Sequence, residues 1–535
     1  MKLTFIGADH EVTGSQHLLE TNDLKLLVDC GMEQGSNPYE NAPLPVSYRE
    51  IDYIILTHAH IDHAGMIPYA YTHGFGGSIL ATNASMDLDS IMLLDSAHIQ
   101  EQEAEWQNRK GKRAGKEPVE PLYTVEDAKA ILKQFRAIPY NQVVELSDTV
   151  KLRFTDAGHL LGSASAELWI EEVGVKKKLV FSGDIGNKNK PLIRDPQYIA
   201  EADYILMEST YGNRLHDRSV NHIEDLRRII QETLDRGGNV VIPAFAVGRT
   251  QELLYLIRHL KTEGLIQGHD NFPVYVDSPL AVQATNVFKE NLAACYDEET
   301  RALVEQGVNP ISFPNLRLSV SAEESKAINF DPTPKVILSA SGMCDAGRIR
   351  HHLKHNLWRR ECSVVFAGYQ AEGTLGRLLQ DGAELVRIFG EEIEVKAHIE
   401  TMGGMSSHAD QDGLLEWISA FTKKPQQIFL VHGEDSAMET LSQLIRERLG
   451  YDVACPYSGS VFDLATGQFD YVAEPVYTKK QTQREVRNSA AQTQLLTAAK
   501  ALAKLADSYT SGTNTDMKRF AKDIEALLAK WKMEV

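Results

Sequence analysis

The heptapeptide THAHIDH, residues 57–63, follows the apolar run YIIL of residues 53–56 and is the most informative stretch of the chain. Imidazole is a common metal ligand, and an aspartate supplies a hard oxygen. In an extended segment, residues two apart point the same way. His58 and His60 would then form one ligand pair, while Asp62 and His63 face a neighbouring position. The stretch therefore predicts a loop that offers ligands to two adjacent cations.

Two-metal sites also need ligands from other parts of the chain. Candidates stand where apolar strands are predicted to end: His159 in DAGHLLG, Asp184 in FSGDIG and His432 in LVHGE. Asp29, in LLVDCG, ends another such strand. A carboxylate in this position is expected to orient a metal-binding imidazole through a hydrogen bond.

Composition and charge restrict the class of protein. The 535 residues are 43% apolar, which is typical of a globular protein, and the length predicts two or three domains. The net charge of −19 excludes a uniformly basic nucleic-acid-binding surface, although not a local basic groove. Five scattered cysteines without a CxxC favour a reducing compartment. Without a signal-peptide pattern or an apolar stretch of about 18 residues, we expect a cytoplasmic protein and no membrane partner.

The hydrophobic pattern changes twice along the chain. Short apolar runs up to about residue 210 predict strands over 2–8, 25–31, 53–59, 178–184 and 204–210, and a helix over 125–136. Helices over 222–237 and 250–264 then alternate with strands over 239–245, 272–278 and 335–341, which predicts an open parallel sheet. The first pattern returns at 395–402, 412–421 and 426–434. We interpret this order as one domain interrupted by another.

The last sixty residues, 476–535, carry 11 Lys and Arg against 6 Asp and Glu. Helices are predicted over 481–507 and 517–532, with a loop and an N-cap in SGTNTD between them. A basic helical hairpin of this kind would bind RNA, pack on the core or form a homodimer, and the sequence leaves these alternatives open.

The strand-end residues and several further motifs together resemble a known family. Asp29, the HxHxDH motif, His159 and Asp184 resemble the metallo-β-lactamase superfamily in their order and strand-end placement. Glu208 in ESTYG, His408 in SSHAD and His432 in LVHGE resemble the three extra motifs of its β-CASP branch, which cleaves nucleic acids. The segments at 243–252, 277–280 and 341–343 resemble β-CASP-domain segments, and GYQAEGTL (368–375) resembles the start of an RNA-specificity segment.

The resemblance implies an α/β fold: a metallo-β-lactamase αββα sandwich with an inserted β-CASP α/β domain and a C-terminal helical tail. The implied boundaries are 1–213 for the first part of the metallo-β-lactamase domain and 214–380 for the β-CASP domain. The second part, with the RNA-specificity segment, would occupy 381–470, and the basic helical hairpin would occupy 471–535.

The resemblance also implies roles for the site residues. His58, His60 and His159 would hold one zinc ion, Asp62, His63 and His432 a second, and Asp184 would bridge them, with manganese or iron as alternative metals. Hydroxide formed between the ions would attack phosphorus, with Asp29 and Asp62 counted among the catalytic residues. His408, oriented by Glu208, is the candidate general acid. The candidate substrate contacts are Arg249, Ser341, Gly342 and Met343.

The function expected from this resemblance is a zinc-dependent ribonuclease that cleaves single-stranded RNA internally. The third extra motif tends to be His in RNA-cleaving members and apolar in DNA-repair members, so His432 favours RNA. A 5′–3′ exoribonuclease, a DNA nuclease of the same branch, a small-molecule hydrolase of the superfamily and an inactive RNA-binding subunit are the alternatives.

Overall fold

The computed structural model describes residues 1–478, apart from Ser36, Ala114, Arg218, Ser219, 292–294 and Glu372, together with 502, 505, 506 and 513–531. Its contacts divide the chain into two compact units, residues 1–476 and residues 477–535. The larger unit contains three main sheets.

The first sheet has eight strands in the order β23-β22-β1-β2-β3-β4-β5-β6. Their bounds are β1 Lys2–Gly7, β2 Gln16–Glu20, β3 Lys25–Val28, β4 Tyr53–Ile55, β5 Ser78–Ala81, β6 Phe135–Ala137, β22 Val461–Asp463 and β23 Gln468–Tyr471. The strands β3 to β6 run parallel, and the others pair antiparallel.

The second sheet has seven strands in the order β21-β20-β11-β10-β9-β8-β7. Their bounds are β7 Val144–Glu145, β8 Val150–Asp156, β9 Ala164–Glu172, β10 Val175–Phe181, β11 Tyr204–Glu208, β20 Gln427–Val431 and β21 Val453–Ala454. Phe5, Leu168 and Phe429 belong to one buried cluster that joins the first two sheets face to face.

Helices cover the outer faces of these two sheets. They are α1 Ile61–Ala64, α2 Ile67–Thr72, α3 Asn83–Lys112 and α4 Val125–Ile131, with α12 Gln411–Ser419 and α13 Asp435–Leu449. One apolar cluster joins the first sheet to α2, α3 and α4, and another joins the second sheet to α12 and α13. This αββα arrangement, here called the first domain, confirms the expected sandwich.

The third sheet has six parallel strands in the order β14-β13-β15-β12-β16-β19. Their bounds are β12 Val240–Pro243, β13 Val274–Asp277, β14 Leu316–Ser319, β15 Val336–Ser339, β16 Ser363–Phe366 and β19 His398–Thr401. Strands such as Val336–Ser339 are buried throughout, because a parallel sheet is covered on both faces.

Helices and one hairpin surround the third sheet, and together with this sheet they form what we call the inserted domain. They are α5 His222–Asp235, α6 Arg249–Thr262, α7 Pro279–Glu290, α8 Glu298–Glu305, α9 Ala322–Phe330, α10 Ile349–Asn356 and α11 Leu375–Gln380, with a hairpin of β17 Leu385–Ile388 and β18 Glu391–Glu394. Leu160 of the first domain lies in the same apolar cluster as Leu254 of α6. The two domains therefore share part of one core.

Three local expectations need correction. The segment 395–402 is expected in the second part of the first domain, but β19 pairs with β16 of the inserted sheet, so by its sheet this domain extends past the predicted boundary at 380. The predicted helix 125–136 ends at Ile131, because Phe135 begins a strand that pairs with β5. The helix α14, Asn514–Trp531, begins before the predicted residue 517, because Thr513 caps it by accepting the Asp516 N–H.

The other half of the predicted hairpin, 481–507, lies almost entirely outside the described residues. No helix in the described part of the chain combines the length and the apolar character needed to cross a bilayer.

Candidate metal centre

The HxHxDH segment forms the turn between β4 and α1. Its backbone is extended at His60, and α1 then begins at Ile61, so that Asp62 and His63 lie on the first turn of a short helix. The turn packs tightly on the loop after β3, where a Cβ atom on Gly31 would lie 1.7 Å from the carbonyl oxygen of Asp62. Only glycine allows this approach, which holds the histidine turn against the sheet.

The first ligand group contains His58, His60, His159 and Asp184. His60 Nδ1 lies 3.1 Å from His58 Nε2 and 3.3 Å from His159 Nε2. Asp184 Oδ2 lies 3.3 Å from His58 Nε2 and 3.5 Å from His159 Nε2. Four donor atoms from three separate segments therefore converge on one point.

The second ligand group contains Asp62, His63 and His432. His432 Nε2 lies 3.3 Å from His63 Nε2 and 3.5 Å from Asp62 Oδ2. The other oxygen of Asp184, Oδ1, lies 3.3 Å from His63 Nε2. Because its two oxygens face different groups, Asp184 is placed to bridge them.

The chemistry of these groups fits divalent cations. Asp184 Oδ1 and His159 Nδ1 are buried and have no hydrogen-bond partner in the described structure. Burial, together with the neighbouring imidazole of His58, lowers the pKa of His60 to about 3, and burial likewise lowers the pKa of His58 and His159. Neutral imidazoles and carboxylates are the protonation states that bind metal. The clustered residues are thus a candidate site for divalent metal ions.

Neighbouring polar groups orient the ligand side chains. Asp29 accepts a hydrogen bond from His63 Nδ1 at 2.7 Å and from Thr57 N–H at 2.8 Å. Thr210 Oγ1 lies 3.0 Å from His432 Nδ1. The structure places Asp29 behind the ligands, where sequence reasoning expected an orienting carboxylate. Thr57 and Thr210 were missed, although each lies within a motif that was singled out.

Asp29→Asn is expected to weaken metal binding by about 10–100-fold, with a matching loss of activity, because an amide presents no charged acceptor to His63. Metal titration of the metal-free protein measures this effect. Asp23→Asn, at an exposed position just before β3, is the matched control and should bind metal like the wild type. Equal affinity of Asp29→Asn and wild type would remove the orienting role from Asp29.

A third group, Asp184, Glu208 and His408, lies beside the ligand groups. His408 Nδ1 lies 3.1 Å and 3.3 Å from the two oxygens of Glu208. Glu208 Oε1 also accepts the Ile185 N–H at 2.6 Å, which fixes the carboxylate. The His408 side chain is 21% exposed, whereas that of Glu208 is 1% exposed. His408 therefore faces the open side of the centre and Glu208 supports it from behind.

The charge of Glu208 sets the protonation of His408. Burial opposes the charged imidazole, but the carboxylates of Glu208 and Asp184 outweigh it and raise the pKa of His408 to about 9. The imidazole is therefore protonated at neutral pH. Nε2 makes no hydrogen bond within the described residues, so this nitrogen can present a proton to a bound molecule.

The predicted substrate contacts differ in their surroundings. Ser341, Gly342 and Met343 form a loop directly after β15, and Gly342 passes so close to Phe245 that a Cβ atom would lie 3.1 Å from its ring. Arg249 instead binds within the protein: its guanidinium donates to Glu252 at 2.6 Å and to the Met405 carbonyl oxygen. The structure thus gives Arg249 partners that the sequence did not indicate.

Comparison with known proteins gives three family matches along the chain. Residues 18–186 match the metallo-beta-lactamase superfamily domain, residues 250–379 the Beta-Casp domain, and residues 392–456 the Zn-dependent metallo-hydrolase RNA specificity domain.

Two relatives match most of the chain. Ribonuclease TTHA0252 of Thermus thermophilus is 37% identical over 451 residues, which are 84% of this chain and 96% of that protein. Transcription termination factor FttA of Methanocaldococcus jannaschii is 34% identical over 460 residues, covering 83% of this chain and 69% of that protein.

Proposed function

The chain belongs to the β-CASP branch of the metallo-β-lactamase superfamily, and from that premise we propose that it is a zinc-dependent endoribonuclease acting on single-stranded RNA. One observation carries the proposal: two ligand groups share Asp184, and His408, hydrogen-bonded to Glu208, lies at their open side. The match to an RNA-specificity domain and the name of the Thermus relative support RNA as the polymer.

Zinc is the proposed metal, because most of the ligands in both groups are imidazoles. His58, His60 and His159 would hold one ion and Asp62, His63 and His432 the other, with Asp184 between them. When bound, the ions supply a water nucleophile activated near neutral pH and neutralise charge that develops on the phosphate.

The protein residues supply the remaining parts of the reaction. His408 would donate the proton on Nε2 to the 3′ oxygen that leaves, so that the products are a 3′-hydroxyl and a 5′-phosphate. Glu208 keeps that imidazole charged before the transfer. The N–H groups of Gly342 and Met343 make no hydrogen bond within the described residues, and we propose that they bind a phosphate of the substrate.

The test uses internally labelled and 5′-labelled single-stranded RNA, and the matching DNA, with the full chain in the presence of zinc or manganese. We expect internal RNA fragments that are absent with His58→Ala/His60→Ala. Mononucleotides released from one end would make the enzyme an exonuclease. Preferential cleavage of DNA would make the enzyme a DNA nuclease. A metal-loaded protein that cleaves neither polymer would overturn the proposal.

In a plot of kcat against pH, Glu208→Gln is expected to shift the fall in rate at alkaline pH to lower pH by at least about one unit. In the wild type the acid form of His408 persists up to a pKa of about 9 and is lost above it. The substituted amide keeps an oxygen for the Ile185 N–H but removes the charge that favours the protonated imidazole. A pH–rate series on RNA for both proteins measures the shift, and an unshifted fall in rate would show that Glu208 does not control this proton.

A further inference from the structure

The segment between β19 and α12 carries His408 and is fixed to the first domain on one side. Asn187 N–H donates to the Ser407 carbonyl oxygen at 2.8 Å, and Ala409 N–H donates to the Ile185 carbonyl oxygen at 2.8 Å. These bonds flank His408 and tie it to the loop that follows Asp184. They leave the residues before Ser407 to be fixed by other contacts.

A chain of three charged side chains supplies such a contact: two lie on α6 of the inserted domain and one on the loop after Asp184. Arg249, the first residue of α6, donates to the Met405 carbonyl oxygen and to Glu252 at 2.6 Å. Lys190 Nζ lies 3.0 Å from the other oxygen of Glu252. The same ammonium donates to the carbonyl oxygen of His159 at 3.1 Å. The chain therefore runs from the backbone of a candidate metal ligand to a residue three positions before His408.

These side chains are buried in a fixed arrangement. The side chains of Arg249, Glu252 and Lys190 are 9%, 7% and 10% exposed. Burial disfavours the charge on Glu252, but its two cationic neighbours outweigh burial and lower its pKa, so the carboxylate stays ionised. Arg249 cannot leave the arrangement to follow a ligand without leaving a buried anion beside a single cation.

We propose that Arg249, held by Glu252 and Lys190, is a positioning residue that places the general acid His408 through the Met405 carbonyl group. The inference rests on the proposed function, since it assigns a task within the same reaction. It replaces the sequence-based expectation that this guanidinium contacts substrate phosphate.

The test compares two substrates that differ in their need for an acid. The 3′ oxygen of RNA needs a proton to leave, whereas p-nitrophenolate leaves uridine 5′-(p-nitrophenyl phosphate) without one. Arg249→Met is expected to lower kcat on RNA by about 100-fold, the cost of misplacing a catalytic group by about 1 Å. It should leave KM for RNA, metal content and turnover of the nitrophenyl ester within a few-fold of wild type.

A double variant separates positioning from a general loss of structure. If Arg249 acts only through His408, adding Arg249→Met to His408→Ala should cause no further loss on RNA. Arg249→Lys, which keeps one donor, should recover part of the rate, and it replaces Arg249→Met if that variant does not fold. Arg228→Met is the matched control, because Arg228 joins α5 to Glu400 at 3.0 Å without contacting the segment that carries His408.

Three results would overturn the inference while leaving the proposed function intact. Arg249→Met could lower kcat equally on both substrates, or it could raise KM for RNA at constant kcat. In the third case, the double variant would lose activity by the product of the two single losses. The second result would return Arg249 to the role of a phosphate contact. Failure of the wild type to cleave RNA would instead count against the proposed function itself.

Discussion

His408→Ala is expected to lower kcat on RNA by about 10²–10⁴-fold, the range that a positioned general acid contributes. The imidazole is held protonated by Glu208, faces the open side of the centre and has Nε2 without a partner among the described residues. Neither set of three ligands needs His408 to be complete. Metal content should therefore stay at the wild-type value while turnover falls, and single-turnover kinetics with metal analysis of the same sample measure both.

The exposed His398 on β19 offers a matched control, because His398→Ala removes an imidazole outside the centre. This variant should keep wild-type rates. Loss of bound metal in His408→Ala would make the residue a ligand of the third group rather than an acid. Full activity of that variant would remove it from the mechanism.

Asp184→Asn is expected to lower RNA cleavage by at least about 10⁴-fold and to reduce the binding of both metal ions. Metal-ion charge stabilisation amounts to several kcal/mol, and each 1.36 kcal/mol corresponds to about a factor of ten. Asp184 Oδ2 lies 3.3 Å from His58 Nε2 and Asp184 Oδ1 lies 3.3 Å from His63 Nε2, so that one carboxylate faces both ligand groups. An amide supplies one neutral oxygen in place of the two that face the ligand groups.

Thermal unfolding provides a readout that does not depend on activity. Bound metal stabilises the folded state, so a chelator should lower the Tm of the wild type and have little effect on Asp184→Asn. Asp195→Asn, an exposed aspartate in the loop after Asp184, should behave like the wild type. Two firmly bound ions in Asp184→Asn would contradict the bridging arrangement.

The ligand groups could be predicted from sequence because strand ends carry them. His58, His159 and Asp184 each come three residues after the end of a strand, and such ends meet at one edge of the paired sheets. Polar residues in these places have few structural reasons to be buried, so a metal centre was the natural interpretation. The inserted parallel sheet followed from the change in hydrophobic pattern, whereas the sandwich was implied by the resemblance to the family.

Contacts between residues far apart in sequence could not be predicted. Arg249 and Met405 lie 156 positions apart, and no local pattern indicates that a guanidinium will meet that carbonyl group. The strand His398–Thr401 fits either domain by its composition, and only pairing with β16 assigns it to the inserted sheet. Thr210 supports His432 across 222 positions, which is likewise a property of the folded chain.

The placement of β19 also constrains protein engineering. The polypeptide leaves the inserted sheet at Thr401 and reaches His408 within seven residues, while the candidate metal ligands lie on the first domain. A chimera that exchanges the inserted domain between relatives must therefore join the two sequences after this segment. A junction at residue 380 would combine β19 and the His408 segment of one parent with the other strands of the inserted sheet from the second parent. Two separately functional sequences would then yield a mismatched hybrid.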